Sequence, residues 1–311
     1  MVSVLDSKEM LNEGLVQPHC WKSQSFNPML DQSAILSHPQ LRSALKKQAQ
    51  FFLEYEQQIP RGASIFATQQ RYMLAQLAVA LAFQQAEKGL RLADYLHAVQ
   101  DAKIASRNTA HKFVLEMVQY RVVTQNTSKE DKRLRPIFLS PQVRASIFAW
   151  LMIHLASLDF FDNGKRCQTL SSDPTLLERV HPLFVQKLFA SRQAIAPEGT
   201  FSIFTWMNDG GLVMDKIFAS IEIVLPENSR VETGITGFVE LAEPLLISKT
   251  HLSRTMKQAE EMGSLGWLGQ RGASTLWVSQ SFVAEYDAYQ AGKLEKIEQA
   301  FNEIQLGNSS Q

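Results

Sequence analysis

Cysteine is scarce in this chain: of 311 residues, only Cys20 and Cys167 carry a thiol. Two thiols cannot build a disulfide framework or a thiolate zinc cage. They are expected to be buried, inert side chains in a protein kept in a reducing cytoplasm. Glycine and proline, at 15 and 11, are few, which disfavours a many-stranded, turn-rich sandwich and leans the chain toward helices. Neither sign of charge is in excess, since 31 Lys and Arg balance 31 Asp and Glu. The molecule as a whole therefore offers no bulk attraction to nucleic acid or anionic membrane, and any electrostatic function must come from charge segregated along the chain. Long apolar runs are lacking too. The longest, Ala145 to Phe161, is short for a membrane span and carries His154 and Asp159. A buried helix and no membrane partner are expected. Met1 to Gly14 has no basic stretch followed by an apolar core, so no secretory signal is expected.

Catalytic patterns are missing as well. The histidines at 19, 38, 97, 111, 154, 181 and 251 include no i, i+4 pair and no His-Glu-x-x-His. There is no Gly-x-Ser-x-Gly, no P-loop and no Gly-x-Gly-x-x-Gly. His154, Asp159 and Asp162 lie close in sequence, but carboxylates at such a place most often cap a helix end. The expectation is a protein that is not an enzyme, with no cofactor and no metal.

What is present is ordinary globular composition, 45% hydrophobic and 20% charged, in a length suited to about two domains. Residues 1–60 read as a helical arm punctuated by Pro18, Pro28 and Pro39, with one clear helix from Leu41 to Gln57. A longer helix follows from Ala67 to Lys88, then helices from Leu92 to Asp101 and from Ser106 to Tyr120. Next come a β-branched piece, Arg121 to Thr124, a charged stretch from Asn126 to Arg133, and an apolar strand, Pro136 to Leu139. Ser140-Pro141 reads as an N-cap with proline at the first helical position, opening a helix that runs to about Leu158. Asp162-Asn163-Gly164 and Ser171 to Pro174 mark a loop, a helix spans Pro174 to Ser191, and Phe201 to Val224 reads as two helices broken at Asn208 to Gly211. Helix, short helix, turn, helix, strand, charged hairpin, strand, helix is the order of a winged helix-turn-helix.

The pattern recurs. Ser248 lies 142 residues after Ser106, and from each serine apolar residues fall at the same steps. Ala110, Val114, Met117 and Tyr120 in the first copy answer to Leu252, Met256, Ala259 and Met262 in the second, one helical stripe in each. Exposed positions agree in charge: Arg107 with Lys249, and Lys112 with Arg254. After the second copy, Ser264 to Leu268 reads as a strand, Gly269 to Ser274 as a hairpin tip bearing Arg271, and Thr275 to Val278 as the return strand. Two copies in register carry more weight than one, because a single helical stripe arises by chance in most all-α proteins.

Ala105-Ser106-Arg107-Asn108-Thr109-Ala110 through Val122-Val123 resembles the recognition helix of MarR-type winged-helix regulators. Lys129-Glu130-Asp131-Lys132-Arg133, followed by Ile137-Phe138-Leu139-Ser140, looks like that family's wing, with its Asp-x-Arg element. The likeness covers residues 67–158 well; residues 210–291 resemble winged helices in general. The first copy departs from the family in having Tyr120-Arg121 where a glycine turn is usual, whereas the second keeps Gly263 but lacks the Asp-x-Arg. The family ordinarily carries one such unit per chain and pairs as a homodimer, whereas this chain carries two.

The expected fold is therefore mainly α with small β-hairpin wings: tandem winged helix-turn-helix units joined by a helical middle. The divisions are an arm at 1–60, a first unit at 61–160, a helical connector at 161–209, a second unit at 210–291, and a C-terminal helix and tail at 292–311. The expected function is sequence-specific binding of double-stranded DNA in transcription regulation, by a monomer with pseudo-two-fold symmetry or a homodimer. In the first unit, Ser106, Arg107, Asn108, Thr109, His111 and Lys112 would face the groove, with Lys129, Lys132 and Arg133 on the wing. In the second, Ser248, Lys249, Thr250, His251, Arg254 and Arg271 would do so. Charge is gathered accordingly: between Gln100 and Arg135 eight basic residues face four acids, and between Ser248 and Arg271 four face two. The resemblance also implies a small-molecule effector. A plasmid-type replication initiator with tandem winged helices, or a winged-helix protein-interaction scaffold without DNA binding, would present the same pattern.

Overall fold

The computed structural model describes residues 29–58, 68–125, 135–221, 229–242 and 247–309. The chain is mainly helical, with two small antiparallel sheets. A short helix, α1 (Gln32–Leu36), and a long one, α2 (Leu41–Gln58), lead in. Read from the sequence as a helical arm, they pack against the rest of the chain. Ile35, Leu41, Ala44, Leu45 and Ala49 are buried, because α2 is sandwiched between α11 and α6 and α1 rests on α14.

The next stretch comprises α3 (Gln69–Gln84), α4 (Leu92–Asp101), α5 (Arg107–Gln119), β1 (Val123–Gln125) and β2 (Ile137–Leu139). Thr68 opens α3 by accepting a hydrogen bond from the Arg71 amide, and Ser106 opens α5 by accepting one from Thr109. β1 pairs antiparallel with β2, Val123 opposite Leu139, while Leu90 bridges to Ile137 from the other side of β2. Behind them lies a separate small core in which Leu90, Tyr95, Leu96, Val99, Ala110, Phe113, Val114 and Met117 meet. Each such apolar side chain contributes roughly 1.5–3 kcal/mol by leaving water.

The middle of the chain is α6 (Pro141–Asp162), α7 (Arg166–Ser172), α8 (Leu176–Phe189), α9 (Arg192–Ile195) and α10 (Gly199–Trp206). Ser140 caps α6 through the Val143 amide, with Pro141 following, as its sequence predicts. α7 falls inside the stretch read as loop: its seven residues are too few for a periodic signal, and Arg166 holds it in place. The N–H groups of Arg166 meet Glu298, Asp162 and Asp159 at 2.7–3.1 Å. Asp159 also accepts from the Arg166 and Cys167 amides, and Asp162 from Gly164. Asp159 and Asp162 thus cap the turn beyond α6, and His154 stands apart from them, packed against Phe52 and Trp150.

The last stretch is α11 (Gly210–Ala219), β3 (Arg230–Glu232), α12 (Phe238–Ala242), α13 (Lys249–Glu261), β4 (Leu265–Trp267), β5 (Leu276–Ser279) and α14 (Gln280–Ser309). The sheet order is β3-β5-β4, matching the Leu90, β2, β1 order of the earlier stretch. α13 and β4 begin and end 142 residues after α5 and β1. Each hairpin leads into a long helix through a serine: Ser279 accepts from the Phe282 amide as Ser140 does from Val143. The 30 residues of α14 are continuous, so no boundary falls at 291–292. α14 packs along α8 and joins α6 and α10. Its inner residues, Tyr286, Leu294 and Ile297, merge the second stretch into one large core with the middle.

The repeated turn is reproduced atom for atom. The Val122 amide donates to the Met117 carbonyl and the Ser264 amide to that of Ala259. The residue before each donor takes a positive φ, +58° at Arg121 and +71° at Gly263. This is the left-handed helix-ending turn that glycine adopts without strain. Ala110, Val114 and Met117, and likewise Leu252, Met256 and Ala259, are buried. The last member of each proposed stripe is not: Tyr120 and Met262 are the C-caps, 58% and 50% exposed, because the stripe leaves the core where the helix stops.

Candidate nucleic-acid interface

With Ala110, Phe113, Val114 and Met117 inward, the turns of α5 leave Arg107, Asn108, His111, Lys112 and Leu115 exposed. With Leu252, Thr255, Met256 and Ala259 inward, α13 leaves Lys249, Thr250, His251, Arg254 and Lys257 exposed. Each helix therefore shows solvent a polar ridge with at least two cationic side chains, beginning in its first turn. Among the described residues, no carboxylate forms an ion pair with Arg107, Lys112 or Arg254. Lys257 pairs loosely with Glu261 at 3.8 Å.

The predicted site residues separate into two kinds. Ser106 and Thr109 are spent on the cap: the Ser106 hydroxyl accepts from the Thr109 amide at 3.2 Å, and the two hydroxyls lie 2.9 Å apart. Ser248 stands at the same N-cap position of α13 without a side-chain cap hydrogen bond. Arg107, Asn108, His111 and Lys112, with Lys249, Thr250, His251 and Arg254, lie on the exposed ridges. Lys129, Lys132 and Arg133 lie outside the described residues.

Arg271 is placed differently from the free hairpin contact its sequence position suggested. Its Nε donates to both Glu260 oxygens at 2.7 and 3.0 Å, and its terminal nitrogens donate to the Ser253 hydroxyl and carbonyl at 3.1 and 2.9 Å. The hairpin arginine is thereby bound to the flank of α13. Glu260 also accepts from the Trp267 indole at 3.1 Å. Nothing in the sequence outside this tertiary contact marks Glu260 or Ser253 as partners of a residue ten or more positions away.

The α5 ridge is supported from behind. Behind α5, Arg71 of α3 pairs with Glu116 at 2.9 Å and lies over the Phe113 ring, and the buried Tyr95 hydroxyl donates to the Leu74 carbonyl. α3 in turn is joined to α8 by a buried hydrogen bond between Gln76 and His181, 2.7 Å. Phe83, Trp150 and Phe184 pack around His181. Among the described residues, the second ring nitrogens of His154 and His181 have no hydrogen-bond partner, and burial pushes the His181 pKa down to about 3 and that of His154 well below its ordinary value. Both imidazoles are neutral packing groups, with no role on either ridge.

Deeper still, the Tyr286 hydroxyl donates to Asp215 at 2.9 Å. Burial raises the Asp215 carboxyl to about 6 despite that bond, and Lys293 falls to about 8 for the same reason. A cavity of about 90 Å³ lies nearby, bounded by Arg42, Lys46, Phe218 and Tyr286. It is well below the ~300 Å³ at which small-molecule sites begin. Burial raises the Cys167 thiol as well, in keeping with an inert side chain; Cys20 lies outside the described residues.

No family model, no curated protein and no solved structure matches this chain.

Proposed function

We propose that the chain is a sequence-specific DNA-binding protein of the transcription-regulator type, built from two winged helix-turn-helix units in one polypeptide. The observation that carries this reading is the recurrence of one unit: the same strand order, the same helix-ending turn and the same exposed ridge, with α5 and α13 in the position of recognition helices. Repetition of an apolar core alone would serve any fold. Repetition of a cationic outer ridge has no packing purpose, and it fits a polyanion groove. Arg107 and Asn108 carry the donor sets suited to guanine and adenine edges, and Lys112 and Arg254 those suited to phosphates.

A second reading has a specific observation of its own. On α5, Leu115 is 52% exposed, an apolar addition to the ridge that suits protein docking by this helix. Fluorescence anisotropy of the full chain with mixed-sequence duplex DNA at two salt concentrations separates the two. DNA binding predicts an affinity that falls steeply with salt, and a loss of binding in a Lys112→Glu/Arg254→Glu variant that unfolds at the same urea concentration as wild type. No binding at low salt refutes the DNA reading and leaves protein docking.

A further inference from the structure

The geometry points to Arg271 as a positioning residue that locks the second hairpin to its recognition helix rather than touching DNA, an inference that rests on the DNA-binding reading above. A wing arginine that grips phosphate must be free to leave the protein. Arg271, 40% exposed, is instead turned back onto the protein: it makes two hydrogen bonds to Glu260 and two to Ser253, all between 2.7 and 3.1 Å, and its guanidinium lies 5.0 Å from the Phe238 ring centroid. Moving it onto a phosphate would give up all four of these directed hydrogen bonds.

The hairpin is held at its tip as well. The Phe238 amide of α12 donates to the Gly272 carbonyl at 3.3 Å. Gly272 has φ +72°, and a Cβ there would lie 2.2 Å from the Phe238 ring. Only glycine lets the tip close onto α12. β4 is tied into the same knot through Trp267 and Glu260. Both helices of the unit and its hairpin thus form one rigid piece around Glu260, with the clamp on one flank of α13. Thr250, Arg254 and Lys257 on the adjoining ridge stay exposed.

The positions 142 residues before Glu260 and Ser253 are Val118 and His111, so this particular pair of partners is not repeated on α5. In the second unit it ties α13 to its hairpin through an internal ion pair. A docking surface held in this way binds with little ordering cost, and one that swings binds less tightly.

The test uses the full-length protein and a fluorescein-labelled duplex selected by that protein from a random-sequence pool. Arg271→Met, Glu260→Gln and the double variant are compared with wild type for DNA affinity across salt concentrations. Hydrogen exchange at residues 266–276 reports whether the hairpin has come loose, and urea unfolding shows that each variant is folded. Both single variants are expected to weaken binding about tenfold, with hairpin amides exchanging faster. The slope of log affinity against log salt stays at the wild-type value, because no phosphate contact has been lost, and the double variant is no weaker than either single one. If Arg271→Met flattens the slope by about 0.9 while Glu260→Gln binds as well as wild type or better, Arg271 contacts a phosphate and the proposal is overturned. A wild-type chain that selects no duplex at all defeats the DNA reading itself, a different result from a changed slope.

Discussion

Arg121 and Gly263 occupy the same turn with different side chains, and this makes the repeat testable by stability alone. Both residues have a left-handed backbone, φ +58° and +71°, and both follow an exposed C-cap residue. A Cβ placed on Gly263 would meet nothing within 4 Å, so the cost of adding one is conformational only. An L side chain in this region costs about 1–2 kcal/mol, offset by roughly 0.4–1 kcal/mol because alanine narrows the unfolded ensemble. Gly263→Ala is therefore expected to destabilise by about 0.5–1 kcal/mol. Arg121→Gly runs the same arithmetic backwards and is expected to stabilise by a similar ~0.5–1 kcal/mol. Equilibrium unfolding in urea reads both. For the second unit, the fluorescence of Trp267 and Trp277 in β4 and β5 reports locally. Two substitutions of opposite chemistry should thus move stability in opposite directions. If both destabilise, or if Gly263→Ala is neutral, the two turns are not conformationally equivalent and the structural repeat fails at its best-defined point.

Two further outcomes concern the body on which the units rest. Arg166→Met would take away the cation that Asp159, Asp162 and the 1% exposed Glu298 share. A loss of about 3–5 kcal/mol in urea unfolding is expected, partly restored by adding Glu298→Met; a loss below ~1 kcal/mol would show the network to be weakly held. His181 binds its proton in the unfolded chain near the ordinary value of 6.5 but in the fold only near 3. The unfolded state therefore takes up the proton first, and the stability contributed by the neutral ring is complete above 6.5 and drains away as pH falls toward 3. Compared with His181→Phe, wild type should lose up to ~1.4 kcal/mol more per pH unit between pH 6 and 4. The raised carboxyls of Asp215 and Glu56, which oppose this trend, are common to both proteins and cancel in the comparison. Parallel stability curves would mean that His181 is solvated and titrates normally.

Local grammar was legible wherever a residue's role depends on its near neighbours. Ser106 and Ser140 begin helices because their hydroxyls cap amides three residues on. The broken pair α10 and α11 follows from Asn208-Asp209-Gly210-Gly211, and the 142-residue repeat from stripes that α5 and α13 bury at matching positions. The errors share one cause. Tyr120 and Met262 obey the helical period, but the helix ends under them. α7 is too short for a period and is held by Arg166, whose partner Glu298 lies 132 residues away. α2 looked like an arm because its apolar face is narrow, yet Leu45 and Ala49 are covered by α11 and α6.

By itself, then, the sequence determined the longer helices, the caps at Ser106 and Ser140 and the buried faces of α5 and α13, properties set by spacing within about fifteen residues. Only the tertiary structure decided that α11 to α14 share one large core with α1, α2, the middle helices and one side of α3, while α4, α5, β1 and β2 gather a smaller core on the other side of α3. It likewise decided that Arg271, though exposed, reaches back to Glu260 and Ser253. Both outcomes depend on which surfaces meet after folding. An ion pair or a shared core is a relation between distant segments, and a periodic pattern records only which face is buried, not what buries it.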